Sequence, residues 1–143
     1  MSTSPEARYP GGMGKLAGRP VSRIGLGAMQ LSQLKADPDA PVAVVRRALD
    51  AGVNHIDTAH FYGGGFVNDV LRQALSEDDE AVVVTKVGAT VDPGTRIGAR
   101  LAQRPDELRA TVEDNLRSLG RDRLEPAPGR YRPRHHRRGR PGR

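Results

Sequence analysis

The chain has 143 residues, which fits one domain and is long enough to bury a core. It contains no cysteine, so a disulfide framework and thiolate chemistry are excluded. The formal charge of +6 is uneven: residues 126–143 hold seven arginines and no acid, and the rest carries 16 Lys plus Arg against 17 Asp plus Glu, a net charge of −1. The high pI therefore belongs to the tail. No stretch reaches the ~20 apolar residues of a membrane span. The N-terminus has no apolar run of the signal-peptide kind, and a soluble, cytoplasmic protein is expected.

In chain order, residues 1–13 are polar and rich in Pro and Gly, and are expected to be a mobile N-terminus. Lys15-Leu16 and Pro20-Val21-Ser22 flank Gly18 and suit a short hairpin. The apolar run Arg23-Ile24-Gly25-Leu26-Gly27-Ala28-Met29 is expected to be the first core strand. Asp39 stands where an N-cap would, with Pro41 in the first turn and Val42, Val45 and Leu49 on one face. Gly52 closes that helix at C′. A second strand runs over 53–57. Val67, Val70, Leu71 and Ala74 then recur at i, i+3, i+4 and i+7, the pattern of an amphipathic helix. Residues 81–85 form a continuous apolar run, as in a strand covered on both faces. Residues 87–103 read as a long loop. Pro105-Asp106-Glu107 opens a third helix, with acids where the dipole favours them, a buried stripe of Leu108, Val112, Leu116 and Leu119, and a stop at Gly120. Helices alternating with strands imply parallel strands joined by right-handed crossovers. An open doubly wound sheet and a closed (β/α)8 barrel both satisfy that order.

Gly25-Leu26-Gly27-Ala28-Met29-Gln30 begins like a dinucleotide fingerprint. The third glycine is missing, however, and the next helix is expected only near residue 40, so the Rossmann reading is set aside. The stronger pattern lies at two strand ends. The 53–57 strand presents Asp57, with Tyr62 five residues later, and the 81–85 strand presents Lys86. Active sites of barrels gather at the C-terminal ends of strands. A carboxylate beside an ammonium keeps both charged, and an ammonium beside a phenol favours the phenolate. A phenol so placed can give a proton to a carbonyl oxygen as hydride arrives. His55 lies within a strand and is expected to pack there, whereas His60, between Asp57 and Tyr62, is placed to meet a substrate. No set of residues has metal-ligand spacing.

Several of these segments, in order, resemble the aldo-keto reductases. They are Val21-Ser22-Arg23-Ile24-Gly25-Leu26-Gly27-Ala28-Met29, then Gly52-Val53-Asn54-His55-Ile56-Asp57-Thr58-Ala59 with Tyr62-Gly63, then Val84-Thr85-Lys86-Val87-Gly88. Arg104-Pro105-Asp106-Glu107-Leu108 and the stretch from Asn115 to Leu124 fit that family's third helix and the approach to its fourth strand. The resemblance covers roughly residues 14–125. It implies the first β-α units of a (β/α)8 TIM barrel that uses NADPH, bound in extended form, to reduce small-molecule aldehydes or ketones. It also implies that Tyr62 is the general acid, that Lys86 tunes it and that Asp57 holds Lys86. The turn at Gly27, Ala28 and Met29, together with Asp57, would lie near the cofactor.

The chain departs from that pattern twice. Phe66-Val67-Asn68-Asp69 stands where the family has a Glu-rich helix start. After Leu124-Glu125 the family continues into an apolar fourth strand ending in a catalytic His, but here Arg130 falls in that register. Pro126 and Pro128 lack the N–H a central strand needs. Residues 126–143 therefore read as a separate basic tail, expected to be disordered. Arg, Pro, Gly and Ala supply 15 of its 18 residues, the signature of GC-rich DNA translated out of frame. The competing reading is a non-catalytic basic protein whose tail binds nucleic acid or an acidic partner. A barrel takes ~250 residues, so three strands are expected to give a truncated, marginally stable product without turnover of its own.

Overall fold

The computed structural model describes residues 8–76 and 79–124. The expected tail at 126–143, with both its frameshift and its nucleic-acid readings, and residues 1–7 lie outside the described residues. Residues 8–12, read from the sequence as part of a mobile N-terminus, carry backbone hydrogen bonds: Gly12 N donates to Tyr9 O at 2.9 Å, and Gly12 O accepts from Arg23 N at 2.9 Å.

β1 (Met13–Leu16) and β2 (Arg19–Ser22) form the expected antiparallel hairpin. Its two-residue turn, Ala17-Gly18, has φ of 50° and 80°, the handedness that matches the twist of the strands it joins. Asn54 fastens the hairpin to the main sheet, since its Oδ1 accepts from Ser22 N at 2.8 Å and its Nδ2 donates to Pro20 O at 3.1 Å.

The main sheet has three parallel strands in the order β3 (Leu26–Gly27), β4 (His55–Asp57) and β5 (Val82–Val84). Gly27 pairs with Asp57, and Asp57 with Val84, so all three strands end level. The first core strand is shorter than the seven residues expected. The expectation that no helix follows until residue 40 is also corrected, because a 3-10 helix, Ala28–Leu34, begins directly after β3. Ala28 and Leu31 are buried and Leu34 packs against the same core. Their spacing of three residues is the 3-10 repeat.

α1 (Asp39–Asp50) connects β3 to β4 and buries Pro41 and Val45, with Val42 and Leu49 packed beside them. Its N-cap is Pro38 rather than Asp39. Proline has no side-chain acceptor, and the carboxylate of Asp37 accepts instead from the backbone N–H groups of Asp39 and Ala40, at 3.1 and 3.3 Å. At the other end Gly52, at φ 90°, donates to Leu49 O at 2.9 Å, and Val53 N donates to Ala48 O at 3.0 Å. These are the two bonds of a Schellman motif, which satisfies carbonyls the helix leaves open. α2 (Phe66–Ala74) buries the expected Val67, Val70, Leu71 and Ala74. These residues join Ala28, Leu31, Val45, Ile56, Val83 and Leu119 in one core between the sheet and its helices.

Two further expectations are corrected. Residues 87–103 are not a plain loop, because they contain an antiparallel hairpin of β6 (Ala89–Val91) and β7 (Ala99–Leu101). Thr95 stitches its turn: the hydroxyl donates to Ala99 O at 2.8 Å and accepts from Ala99 N at 2.9 Å. α3 (Pro105–Leu119) opens as expected, with Pro105 first and Glu107 accepting from Arg104 N at 3.2 Å, but it turns a different face inward. Thr111, Asn115 and Leu119 are buried, Leu108 and Leu116 are half-buried, and Val112 is exposed. The helix lies against the end of β5, where polar groups need partners, and it meets them with polar side chains.

Candidate active site

The level strand ends bring the three candidate residues together. Asp57 is the last residue of β4. Lys86 follows β5 by two residues, and its ammonium pairs with an Asp57 carboxylate oxygen and donates to Thr58 O at 3.0 Å. Tyr62 opens a 3-10 turn, Tyr62–Gly65, that leads into α2, and the Lys86 Nζ lies 5.1 Å from its ring centroid. The Tyr62 ring is held edge-on to Phe61 at 5.2 Å. Gly63, Gly64 and Gly65 take φ of 62°, 70° and 98°, and Lys35 Nζ donates to Gly63 O at 2.7 Å. These left-handed residues carry the chain from Tyr62 into the helix.

The side chains of Lys86 and Asp57 are 41% and 55% exposed, so the pair adds little to stability. Its effect is on charge. Partial burial works against the Lys86 ammonium, but the hydrogen bond it donates to Asp57 and the neighbouring Tyr62 outweigh that, and the Lys86 pKa is raised above the ordinary lysine value.

Beside this group the turn after β3 is open. No atom lies within 4 Å of the point where a Cβ on Gly27 would stand, and Met29 is 50% exposed. With Gly27 paired to Asp57, this leaves a bare backbone edge next to the acid. Ala28 differs: it is fully buried in the core and offers no surface to a ligand. His55 packs as expected, its ring lying where a side chain on Gly25 would be, with Nε2 2.1 Å from that Cβ position. His60 lies between Asp57 and Tyr62 and places Nδ1 3.3 Å from Ser118 Oγ on α3. Among the described residues no group of three or more His, Cys, Asp or Glu could hold a metal ion, and no helix is long and apolar enough to cross a membrane.

Behind the strand ends lies a polar layer that sequence reasoning missed. Thr58 donates to Asn68 Oδ1 at 2.8 Å, and Asn68 Nδ2 donates to Ser118 Oγ at 2.9 Å. Thr85 donates to Asn115 Oδ1, and Asn115 Nδ2 donates to Lys86 O at 3.3 Å and to Thr111 O at 2.8 Å. The one sequence signal was an Asn inside each helix, and Asn more often marks an exposed position.

The match to known proteins covers these elements. The model of the aldo/keto reductase family aligns with residues 23–125. Pyridoxine 4-dehydrogenase of Escherichia coli (strain K12) is 41% identical over 116 residues, spanning 77% of this chain and 40% of that protein. An uncharacterized oxidoreductase of Schizosaccharomyces pombe is 32% identical over 109 residues, with 70% of this chain and 34% of that protein aligned. Among solved structures, a glycerol dehydrogenase from Gluconobacter oxydans superposes with a TM-score of 0.68 at 31% identity, covering 78% of this chain and 37% of that one. An aldo-keto reductase from Klebsiella pneumoniae, solved in complex with NADPH, gives a TM-score of 0.59 at 30% identity, over 75% of this chain and 34% of that one. The chain thus spans 40% or less of the length of the curated relatives it matches. The likeness also decides between the two architectures that strand order left open, since the parallel β-α units are those of the barrel portion of such enzymes. With its family motifs in order along the strand ends and its fold superposing on that portion, this chain belongs to the aldo/keto reductase family.

Proposed function

We propose that the group formed by Asp57, Tyr62 and Lys86 is the proton-transfer part of an NADPH-dependent reductase of small aldehydes or ketones. The observation that carries this reading is the Lys86 ammonium, which bridges the Asp57 carboxylate and the Tyr62 ring at the ends of adjacent parallel strands. Tyr62 is the general acid and gives its hydroxyl proton to the substrate's carbonyl oxygen. The Lys86 ammonium stabilises the phenolate left behind, and Asp57 keeps that ammonium charged and in place. NADPH, when bound, supplies the hydride. Gly27, Met29 and Asp57 form the edge against which it would rest, and Ala28 supports that edge from the core. That aldo-keto reductases from Klebsiella pneumoniae were solved in complex with NADPH and with NADP supports this choice of cofactor.

The test uses a chimera in which residues 23–125 of this chain replace the matching part of pyridoxine 4-dehydrogenase, so that the barrel is whole. We expect NADPH oxidation with at least one member of an aldehyde and ketone panel. The Tyr62→Phe form should lose about 10²–10⁴-fold, the usual contribution of a general acid. A chimera that melts cooperatively but reduces no carbonyl, or one that keeps its rate in Tyr62→Phe, overturns the reading. The 143-residue chain alone is expected to show no turnover.

A further inference from the structure

Two asparagines stand behind the candidate site in matching positions. Each is fully buried and projects from a helix toward the end of a strand. Asn68 on α2 accepts from the hydroxyl of Thr58, the residue after Asp57, whose carbonyl receives the Lys86 ammonium. Asn115 on α3 accepts from the hydroxyl of Thr85, the residue before Lys86, and donates to the carbonyl of Lys86 itself. Ser118 joins the two, accepting from Asn68 Nδ2 at 2.9 Å and donating to Asn115 O at 3.3 Å, with His60 against the same hydroxyl. Apolar side chains of similar size would pack these helices without the cost of burying amides. A fully partnered polar network offers in exchange a single fixed arrangement.

We propose that Asn115 is a positioning residue for Lys86, fixing the end of β5 so that the ammonium reaches Asp57, Thr58 O and Tyr62 together, and that Asn68 does the same for the Asp57–Thr58 end of β4. The proposal deepens the reading of Asp57, Tyr62 and Lys86 as a proton-transfer group and rests on it. Asn115 touches no reacting atom, because it acts on main chain and on Thr85. Thr111 supplies the internal contrast. It is also buried on the same face of α3, but among the described residues its hydroxyl donates to Leu108 O at 2.9 Å, within its own helix.

The test reads Lys86 directly in the 143-residue chain, without turnover. The chain has three lysines, Lys15, Lys35 and Lys86, so a chain carrying ¹³C at the lysine ε-carbon gives three signals, assigned by single Lys→Arg changes. In the unaltered chain the Lys86 signal should titrate above an ordinary lysine. Thr85→Val keeps the shape of the side chain and removes the hydroxyl that Asn115 holds, and Asn115→Ala removes the clamp. Both should move the Lys86 titration down toward the ordinary value, while Thr111→Val leaves it in place. If Asn115→Ala fails to fold, Thr85→Val decides. An unchanged Lys86 titration in Thr85→Val, or an equal displacement in Thr111→Val, overturns the proposal. Because no catalytic rate enters, an inactive chimera would sink the reductase reading and leave this result standing.

Discussion

α2 and α3 are neighbours over the same sheet, yet one turns an apolar face inward and the other a polar one. α2 buries Val67, Val70, Leu71 and Ala74 behind the middle of the strands, with Asn68 alone reaching the strand end. α3 buries Thr111 and Asn115 with Leu119, while its own apolar row, Leu108, Val112 and Leu116, stays half-buried or exposed. Where a helix covers the apolar middle of strands, the hydrophobic effect chooses its inward face. Where it covers strand ends, unpaired backbone and hydroxyl groups choose it, since leaving them unpartnered costs about 1–3 kcal/mol each.

Exchanging the two kinds of face is the sharpest way to break this comparison. Leu71→Asn gives α2 the chemistry of α3. Removing a fully buried large side chain costs about 2–5 kcal/mol, and the new amide has no partner. The main sheet has three strands among the described residues, and the variant is expected to show no cooperative urea transition. The reverse exchange, Asn115→Leu, should cost about 1–3 kcal/mol for each of the two groups left without their partner, the Thr85 hydroxyl and the Lys86 carbonyl, offset in part by the added apolar burial. A urea midpoint equal to or above that of the unaltered chain would show that the polar layer is dispensable for folding. Val112→Lys, on the apolar row of α3, should stay within about 0.5 kcal/mol in the same measurement. A larger loss would mean that this row is packed after all.

The smallest effect concerns pH. After α2, Asp79 accepts from Ser76 N at 2.6 Å and from Ser76 Oγ at 2.9 Å and pairs with Arg46 at 3.2 Å. These partners, the Ser76 N–H foremost, hold its carboxyl below the usual range. At the start of α3 the half-buried Glu107 is lowered by Arg100 and by the Arg104 N–H. A carboxyl whose folded pKa is depressed contributes stability above its unfolded value and loses it as pH falls through the folded value. The urea midpoint should therefore be flat near neutrality and fall below about pH 4. Asp79→Asn should lower the neutral midpoint slightly and make that acid fall shallower. An acid fall of the same depth in Asp79→Asn would remove Asp79 from the account.

The same contrast explains what the sequence made legible. The stripe of α2 was readable because apolar period and buried face coincide there. That of α3 was misread because the period marks where apolar residues lie, while burial also depends on what the neighbouring strand offers. The pairing of Asp57 with Lys86 was legible because one ends an apolar strand and the other stands two residues past the next, with Tyr62 close in sequence. Asn68 and Asn115 could not, since an amide's burial depends on partners distant in the chain, Ser118 for one and Thr85 for the other. The 3-10 helix after β3 leaves a trace in the sequence, Ala28, Leu31 and Leu34 at intervals of three, but that spacing departs from the 3.6-residue α-helical period.

The run from Gly63 to Gly65 carries a last consequence, and it is stereochemical. Three successive residues there follow the mirror image of the ordinary helical path, directly between Tyr62 and α2. At Gly64 nothing stands within 4 Å of an added Cβ, so space does not explain the glycine. An L-alanine would cost about 1–2 kcal/mol in backbone conformation alone. A D-alanine has the opposite preference and would meet no such cost. What Gly64 demands is handedness rather than smallness, whereas at Gly63 an added Cβ would also meet Ser32 Cβ at 3.0 Å, and the placing of the phenol depends on both.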